Sequence, residues 1–305
     1  MNRLLKRLVF PPLFLGSFIY LVFLTKPFLG SVDLLLSLNW ISLKPLLVLS
    51  ATALLTSLFF VVSVTLSQDW RIILINSLFS SAAAFYFFAA PLNLLLAAGF
   101  LISLLLTAAV LDKKLRTYLN FQAEELLSPP IRNLALFLVL VISVAYFFNL
   151  DAQIKRKGFE LPDSLIDSTL NFYQTAAPDQ QLAPKLTDQQ KQQLQYLKSN
   201  PQLLKQSGYT LKDLQDLEQA ANGTASTLPG SVRESLKNQL QNIIKPYLNF
   251  VAPLLAALAF LTLSSIVALL ALALHPILWL LFLFLKAVNL IRFETEMRSV
   301  KKLVV

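Results

Sequence analysis

The sequence predicts an all-α polytopic integral membrane protein with about seven transmembrane helices, six or eight being the alternatives, and one small helical extramembrane domain. Hydrophobic residues make up 56% of the 305-residue chain and charged residues only 14%, and the mean hydropathy is +0.62. Long apolar runs occupy residues 1–150 and 247–291, and one polar insert, Asp151–Pro246, separates them. The insert therefore precedes the last two predicted spans.

The amino-terminal half supplies five candidate spans, since a helix needs about 20 apolar residues to cross the hydrocarbon core. They lie at 8–24, 45–66, 72–90, 92–111 and 133–150. A basic amino terminus precedes the first run, so a cleaved signal peptide is the alternative to a retained span. Pro11 and Pro12 interrupt this run and no small-residue cleavage pattern follows it, which favours retention.

The apolar stretch 247–291 is too long for one crossing. As a single helix it would measure about 70 Å, more than twice the thickness of the bilayer core. Proline cannot continue the hydrogen-bond ladder of a helix, so we expect a helix break at His275 and Pro276. This break divides the stretch into a sixth and a seventh span, and residues 292–305 follow as a basic tail.

Two further segments are predicted to lie along the membrane surface. Ser31–Lys44 alternates leucine clusters with polar residues and is too short to cross by itself. Lys113–Leu127 has the apolar spacing of an amphipathic helix, but a solvated helical extension of the fourth span is the preferred interpretation of this segment. Pro129 and Pro130 are expected to end that helix.

Orientation is predicted from basic residues beside the spans, because cytoplasmic loops carry an excess of Lys and Arg. A cytoplasmic amino terminus puts eight of them on the cytoplasmic side and leaves only Lys26 and Lys44 in the facing short loops. The eight are Arg3, Lys6, Arg7, Arg71, Lys113, Lys114, Arg116 and Arg132. The insert is then extracytoplasmic, in a bacterial-type plasma membrane. Seven crossings would also put the basic tail outside, so either the last segment does not cross fully or the span count differs by one.

The net charge of +9 raises the question of nucleic-acid binding. Within Asp151–Pro246, however, eleven Lys and Arg residues face ten Asp and Glu residues, so the insert is nearly neutral. The excess lies beside the apolar runs, where basic residues fix topology and meet anionic lipid. We therefore expect the lipid bilayer, and no nucleic acid, as a partner.

Side chains for chemistry are scarce in the spans. The chain has no cysteine and one histidine, and it contains no P-loop, Ser-His-Asp set, HExxH or dinucleotide fingerprint. We expect no cofactor, no metal and no catalytic centre. Hydrogen bonds between helices are the predicted role of five polar residues in the spans, and close helix packing can use only two span glycines, Gly16 and Gly99. The five are Thr56, Ser57, Asn76, Ser103 and Thr107.

Aromatic residues cluster near the predicted outer ends of the spans, at 85–88, Tyr146–Phe148 and Tyr247, while Trp70 lies near an inner end. Tyr and Trp favour the membrane interface, because the ring can lie in lipid while its polar group stays hydrated. The insert itself shows caps for several short helices, for example Ser231 with Glu234 as a capping box. Its leucines predict a small core, or one that a partner completes.

The function predicted from these features is that of a non-enzymatic integral membrane component of an assembly, secretion or envelope complex. Its helical outer domain, 151–246, would bind a protein partner or mediate homo-oligomers. The alternative is a transporter or channel for an apolar or lipidic substrate, which would need neither charges nor glycine-broken helices in the membrane. A membrane enzyme acting on lipid is the weakest hypothesis, since it needs a catalytic centre that the sequence does not provide.

Overall fold

The computed structural model describes residues 9–36, 40–67, 69–117, 122–159, 241 and 245–288, and every regular element in these ranges is a helix. The α-helices in the described ranges are α1 Phe10–Gly30, α2 Asp33–Leu36, α3 Trp40–Ser67, α4 Trp70–Phe87, α5 Leu92–Thr117, α6 Ala123–Lys157, α7 Leu248–Ala271 and α8 Leu274–Ala287. A 3₁₀ turn, Lys245–Tyr247, leads into α7. Six of these helices, α1 and α3 to α7, are long and apolar enough to cross a membrane. The predicted fold class, an all-helical polytopic membrane protein, is confirmed.

Several helices extend beyond the predicted spans. The fifth predicted span, 133–150, is the central part of α6, which begins at Ala123 and ends at Lys157. Hydropathy marks the part of a helix that suits lipid, whereas the hydrogen-bond ladder continues into the polar flanks. The third span is shorter than predicted, because α4 ends at Phe87 and the extended Phe88 follows. The peptide bond between Ala90 and Pro91, just before α5, is cis.

The predicted surface segments divide between neighbouring helices. Most of Ser31–Lys44 is accounted for by the four-residue α2 and by the first turns of α3. The segment 113–127 is shared by the end of α5 and the start of α6. Pro129 and Pro130 do not end a helix, contrary to expectation, since both lie inside α6. Their rings remove two backbone donors, but Ile131, Leu134 and Ala135 after them are fully buried, which indicates that packing outweighs the lost bonds.

The break in the carboxyl-terminal apolar stretch lies at Leu272 and Ala273, just before His275 and Pro276. The backbone N–H of Leu272 donates to Leu269 O and that of Ala273 to Leu270 O, which tightens the end of α7. Pro276 lies in the first turn of α8, where a helix needs no N–H donor. The first α-helical bond of α8 runs from Ile277 N to Ala273 O. Pro276 is thus tolerated in the first turn of α8, and the helix break at Leu272 and Ala273 precedes it.

The described residues form two compact units. The first unit takes its residues from Met1–Leu29, Lys44–Phe148 and Ala256–Val305. The second takes its residues from Gly30–Leu43 and Asn149–Leu255. Residues 160–240 and 242–244, most of the predicted extramembrane domain 151–246, lie outside the described residues, so its helical caps and core stay predictions.

Four phenylalanines form the centre of the first unit. Phe14 packs against Phe60 with ring centroids 5.0 Å apart, and against Phe18 at 5.7 Å. Phe18 in turn meets Phe100 edge-on at 5.2 Å. All four side chains are buried, and the series joins α1, α3 and α5. Such packing stabilises helix association in lipid, where apolar burial by itself provides little driving force.

The contacts of α1 define two ends of this bundle. Phe10, the first residue of α1, packs near Val62 close to the end of α3, so α1 and α3 run antiparallel. Short links reverse the chain from α3 to α4, from α4 to α5 and from α5 to α6. The end of the bundle at which α1 begins is called the amino-terminal face, and it holds Phe10, Leu66, Trp70, Arg116 and Glu124. The opposite face holds Phe87 against Phe23, and Tyr146 against Phe28.

The aromatic residues divide between lipid-facing and buried positions. Tyr86, Trp70 and Tyr247 are exposed, as an interfacial ring should be. Tyr146 differs from expectation, because its side chain is fully buried and its ring centroid lies 5.3 Å from that of Phe28. Tyr146 therefore joins α1 to α6 within the bundle.

Candidate functional site

A cavity of about 420 Å³ lies at the amino-terminal face, where α6 begins and α7 is followed by α8. Its polar lining consists of Glu124, Glu125, Ser128, Arg132 and His275. Pro129, Ala268, Ala271 and Leu272 supply the rest. The cavity thus places the chain's one histidine in the same depression as two carboxylates and a guanidinium group, beside apolar side chains.

Helix geometry explains why these groups share one depression. Glu124 and Glu125 lie in the first turn of α6, where acidic side chains complement the helix dipole. Arg132 follows Glu125 by seven residues, two helical turns, and therefore lies on the same side of α6. His275 is the second residue of α8 and reaches this depression only because the chain turns at Leu272 and Ala273.

The cavity is open to water, which limits its chemistry. Glu125, Arg132 and His275 are exposed, and Glu124 and Ser128 are half-buried. Exposed charges are screened, so each of them alone contributes little binding energy. The cavity can contact a group that carries both signs of charge and a short apolar portion. Among the described residues, no three His, Asp or Glu side chains come together as a metal site requires.

The predicted topology residues fall into two groups. Arg3, Lys6 and Arg7 lie outside the described residues. Lys113, Lys114 and Arg116 occupy the last turns of α5, and Arg132 lies in α6, all at the amino-terminal face. Arg116 Nη2 forms an ion pair with Asp112 Oδ2 at 2.9 Å, one helical turn earlier. Lys26 and Lys44 are exposed near the other ends of their helices.

Several hydroxyl groups of the spans donate hydrogen bonds within their own helices. Ser57 donates to Ala53 O, and Ser103 donates to Gly99 O, both at 2.8 Å. Thr107 donates to Ser103 O at 2.8 Å. The predicted bonds between helices are therefore wrong for these three residues, because the carbonyl four residues earlier is the nearest acceptor in an apolar environment. Asn76 contributes its backbone carbonyl as an acceptor for the Ser80 hydroxyl.

Thr56 behaves differently from its neighbours on α3. Its hydroxyl is buried and has no hydrogen-bond partner among the described residues. A buried hydroxyl without a partner costs free energy, unless a water molecule or a nearby group outside the described residues satisfies it. Thr56 is one of the five polar residues predicted to form hydrogen bonds between helices. Among the described residues, no carbonyl accepts a hydrogen bond from its hydroxyl.

A second feature is the point where the chain enters and leaves the insert. In the second unit, α6 ends at Lys157, and Gly158 follows with φ +80°. Its backbone N–H donates to Ile154 O at 2.9 Å, which closes the helix in a left-handed cap. Phe159 follows, and its side chain is buried.

The two ends of the insert meet at Phe159. Gln241 Nε2 donates to the backbone carbonyl of Phe159 at 3.1 Å, although 82 residues separate them. We call Gly158, Phe159 and Gln241 the neck. Its effect is to hold Phe159 and Gln241 together, although 82 residues separate them in the chain. Sequence reasoning missed this bond, since nothing about one glutamine in a glutamine-rich segment distinguishes it. The sequence Lys157-Gly158 is the available signal for the helix end at which this bond lies.

Comparison of the chain with protein-family models, curated proteins and solved structures found no match.

Proposed function

We propose that this chain is a non-enzymatic integral membrane component of an assembly, secretion or envelope complex, in which the insert 151–246 binds a protein partner or a second copy of the chain. The observation that carries the proposal is the neck. A domain whose ends meet can form one unit beside the membrane, joined to it by two chain segments. Such an insert is suited to presenting a surface to a partner.

The membrane part is suited to anchoring. The buried fraction of its spans ranges from 72% for α3 to 22% for α7, so α3 is central and α7 is peripheral. Large apolar side chains cover the outward side of α7, as lipid contact requires. The polar side chains of the buried helices mostly bond to their own backbone. These features favour a structural role over a polar translocation pathway.

We propose a bacterial-type plasma membrane, with the amino-terminal face in the cytoplasm and the insert outside. The described basic residues support this orientation. Arg71, Arg132 and the group Lys113–Arg116 lie at the amino-terminal face, and Lys26 and Lys44 lie toward the opposite one. An excess of this kind marks the cytoplasmic side.

The neck also supplies the test. Replacing residues 160–240 by a linker of about four residues removes the insert, and the Phe159–Gln241 distance lets so short a linker close the gap. Gentle-detergent purification of the full chain should recover a stoichiometric partner, or a homo-oligomer. The deletion variant should lose it while keeping its thermal stability in detergent. A control variant carries an unrelated helical domain of equal length at the same place and should also lose the partner.

Two outcomes would refute the proposal. One is a monomer without partners in the full chain under several mild detergents. The other is a partner that the deletion variant still retains, since binding would then lie in the membrane helices.

A transporter for an apolar or lipidic substrate is the second candidate, and the cavity at the amino-terminal face favours it. Its volume of about 420 Å³ falls within the range of small-ligand sites, and its lining combines charges with apolar side chains. Flux of labelled phospholipid in proteoliposomes tests this function. Arg132→Gln should reduce the flux several-fold, whereas Arg71→Gln, an exposed arginine that does not line the cavity, should leave it unchanged. An absence of flux removes the candidate.

A further inference from the structure

The last apolar helix, α8, is too short for a full crossing. Its 14 residues give a length of about 21 Å, against about 30 Å for the hydrocarbon core. α8 ends at Ala287, and the backbone N–H of the cap residue Val288 donates to Phe284 O at 3.0 Å. A helix of this length either spans about two thirds of the hydrocarbon core or lies along one surface.

The beginning of α8 lies at the amino-terminal face. His275 lines the same cavity as Glu124 and Ser128, which belong to the first two turns of α6. These residues precede the apolar part of α6, so they lie at or beyond the lipid boundary. The chain therefore reaches this face at the end of α7 and begins α8 there.

The end of α8 lies at the same face. Leu285 belongs to a buried cluster with Phe10 and Val62, and Leu281 packs against this cluster together with Phe59 and Leu66. Phe10 begins α1, while Val62 and Leu66 lie in the last turns of α3. Since α1 and α3 run antiparallel, the start of one and the end of the other share the amino-terminal face.

We propose that α8 does not cross the membrane but lies along the amino-terminal face, with its outward apolar side chains inserted into the lipid of that one leaflet. Its start lines a cavity with residues of this face and its end packs against other residues of the same face, a relation that a crossing helix cannot have. The partner is the acyl-chain region of the bilayer just below the headgroups. The proposal is independent of the function of the insert.

The side chains of α8 are distributed as an interfacial helix requires. Leu274, Leu278, Phe282 and Leu285 recur along one stripe and are buried against the bundle. The opposite side exposes Ile277, Trp279, Leu280, Leu283 and Phe284. Trp279 lies near the middle of the helix and is 57% exposed. In a crossing helix this ring would lie at mid-membrane, whereas an in-plane helix holds it near the interface, where tryptophan is favoured.

Seven crossings would put the basic tail, 292–305, on the side opposite to the other basic residues. An α8 that does not cross removes this conflict. Six crossings return the chain to the amino-terminal face at the end of α7. With α8 in that face, Arg292, Arg298, Lys301 and Lys302 follow on the same side as the other basic residues. The positive-inside rule is then satisfied along the whole chain.

Two measurements test the proposal in the full chain, which has no native cysteine. The first compares labelling of Thr117→Cys, Ser199→Cys and Ser299→Cys by a membrane-impermeant maleimide in intact and permeabilised cells. Ser299→Cys should label from the same side as Thr117→Cys and from the opposite side to Ser199→Cys. Labelling of Ser299→Cys together with Ser199→Cys would overturn the proposal.

The second measurement compares the depth of nitroxide labels at Ile277, Leu280 and Phe284 of α8 with labels at Leu254, Leu258 and Leu261 of α7. In both sets the first and last positions are seven residues apart and the side chains are exposed, so the labels should not disturb folding. The α7 labels should change in depth by about 10 Å along the set. The α8 labels should stay within a few ångströms of one another. A steady change of about 10 Å in α8 would show that it crosses.

Discussion

Gly99 and Val141 bring α5 and α6 into direct contact, because a Cβ atom on Gly99 would lie only 2.7 Å from Cγ1 of Val141. Val141 is β-branched and stiff in a helix, so it has little freedom to move aside. This contact explains why position 99 is a glycine. Gly99 is one of the two glycines in the predicted spans. Small residues permit such close approaches between membrane helices.

Gly99→Ala should therefore destabilise the bundle by about 1–2 kcal/mol, since overpacking exceeds the gain in helix propensity. The measurement is thermal unfolding in detergent, followed by helical circular dichroism. Gly16→Ala is the matched control, because no atom lies within 4 Å of its added Cβ, and it should be neutral or slightly stabilising. The double variant Gly99→Ala/Val141→Ala should recover part of the loss. Equal stability of the two single alanine variants would contradict the contact.

Phe18 is the next testable position, since it connects Phe14 to Phe100 at the centre of the bundle. Phe18→Ala should cost on the order of 3 kcal/mol through the cavity that it leaves. Phe79→Ala, at a side chain that is 68% exposed, should cost much less because lipid replaces the lost contacts. Thermal unfolding of the two variants in the same detergent measures the difference. A comparable loss at Phe79 would show that its helix face is covered by protein.

Gly158 holds a backbone conformation that favours glycine, with φ +80°. Gly158→Ala should destabilise the end of α6 by about 1–2 kcal/mol, the cost of a left-handed conformation for an L-residue. Hydrogen exchange of the Gly158 amide, which donates to Ile154 O, should accelerate about tenfold. Gly30→Ala is the control. Gly30 has no left-handed φ, and no atom lies within 4 Å of a Cβ added there. An unchanged exchange rate at position 158 would refute the expected strain.

Gln241→Met removes the donor to Phe159 O and keeps the side-chain length. A net loss of about 1 kcal/mol would raise the open population of the neck about fivefold. Trypsin cleavage after Lys155 or Arg156 in proteoliposomes should accelerate by that factor. Gln153→Met, a half-buried glutamine on α6, should leave cleavage unchanged. If both variants are cleaved at the rate of the unmodified chain, the bond does not hold the neck closed.

Pro276→Ala should change stability by less than about 0.5 kcal/mol, because position 276 needs no backbone donor in the first turn of α8. Ala259→Pro in the middle of α7 should cost about 3 kcal/mol or more. Thermal unfolding compares the two variants. A gain in helical content on Pro276→Ala would instead show that the proline causes the break.

The spans could be predicted because lipid exposure imposes a local rule, about 20 apolar residues, that a window of sequence reveals. The break near Pro276 was predicted two to three residues late, since proline fits within the first turn of a helix and the interruption precedes it. The expectation that Pro129 and Pro130 end a helix is wrong for a related reason. Both lie inside α6, and buried residues after them stabilise that helix.

Contacts between distant positions could not be predicted in the same way. Phe10 with Leu285 and Phe159 with Gln241 each join segments far apart in the chain, and one cavity is lined by both Glu124 and His275. Apolar residues that face lipid and those that face another helix have the same chemistry, so hydropathy does not separate them. The position of α8 and the closing of the neck depend on such contacts.

The bond between Phe159 and Gln241 also sets an order of events during synthesis. Phe159 leaves the ribosome 82 residues before its partner, and at about 5–20 residues per second this delay is about 4–16 s. Throughout that interval five membrane segments are already made, while the sixth has not yet been translated. The neck can therefore close only when five of the six helices long enough to cross the membrane have been made and the sixth begins to emerge.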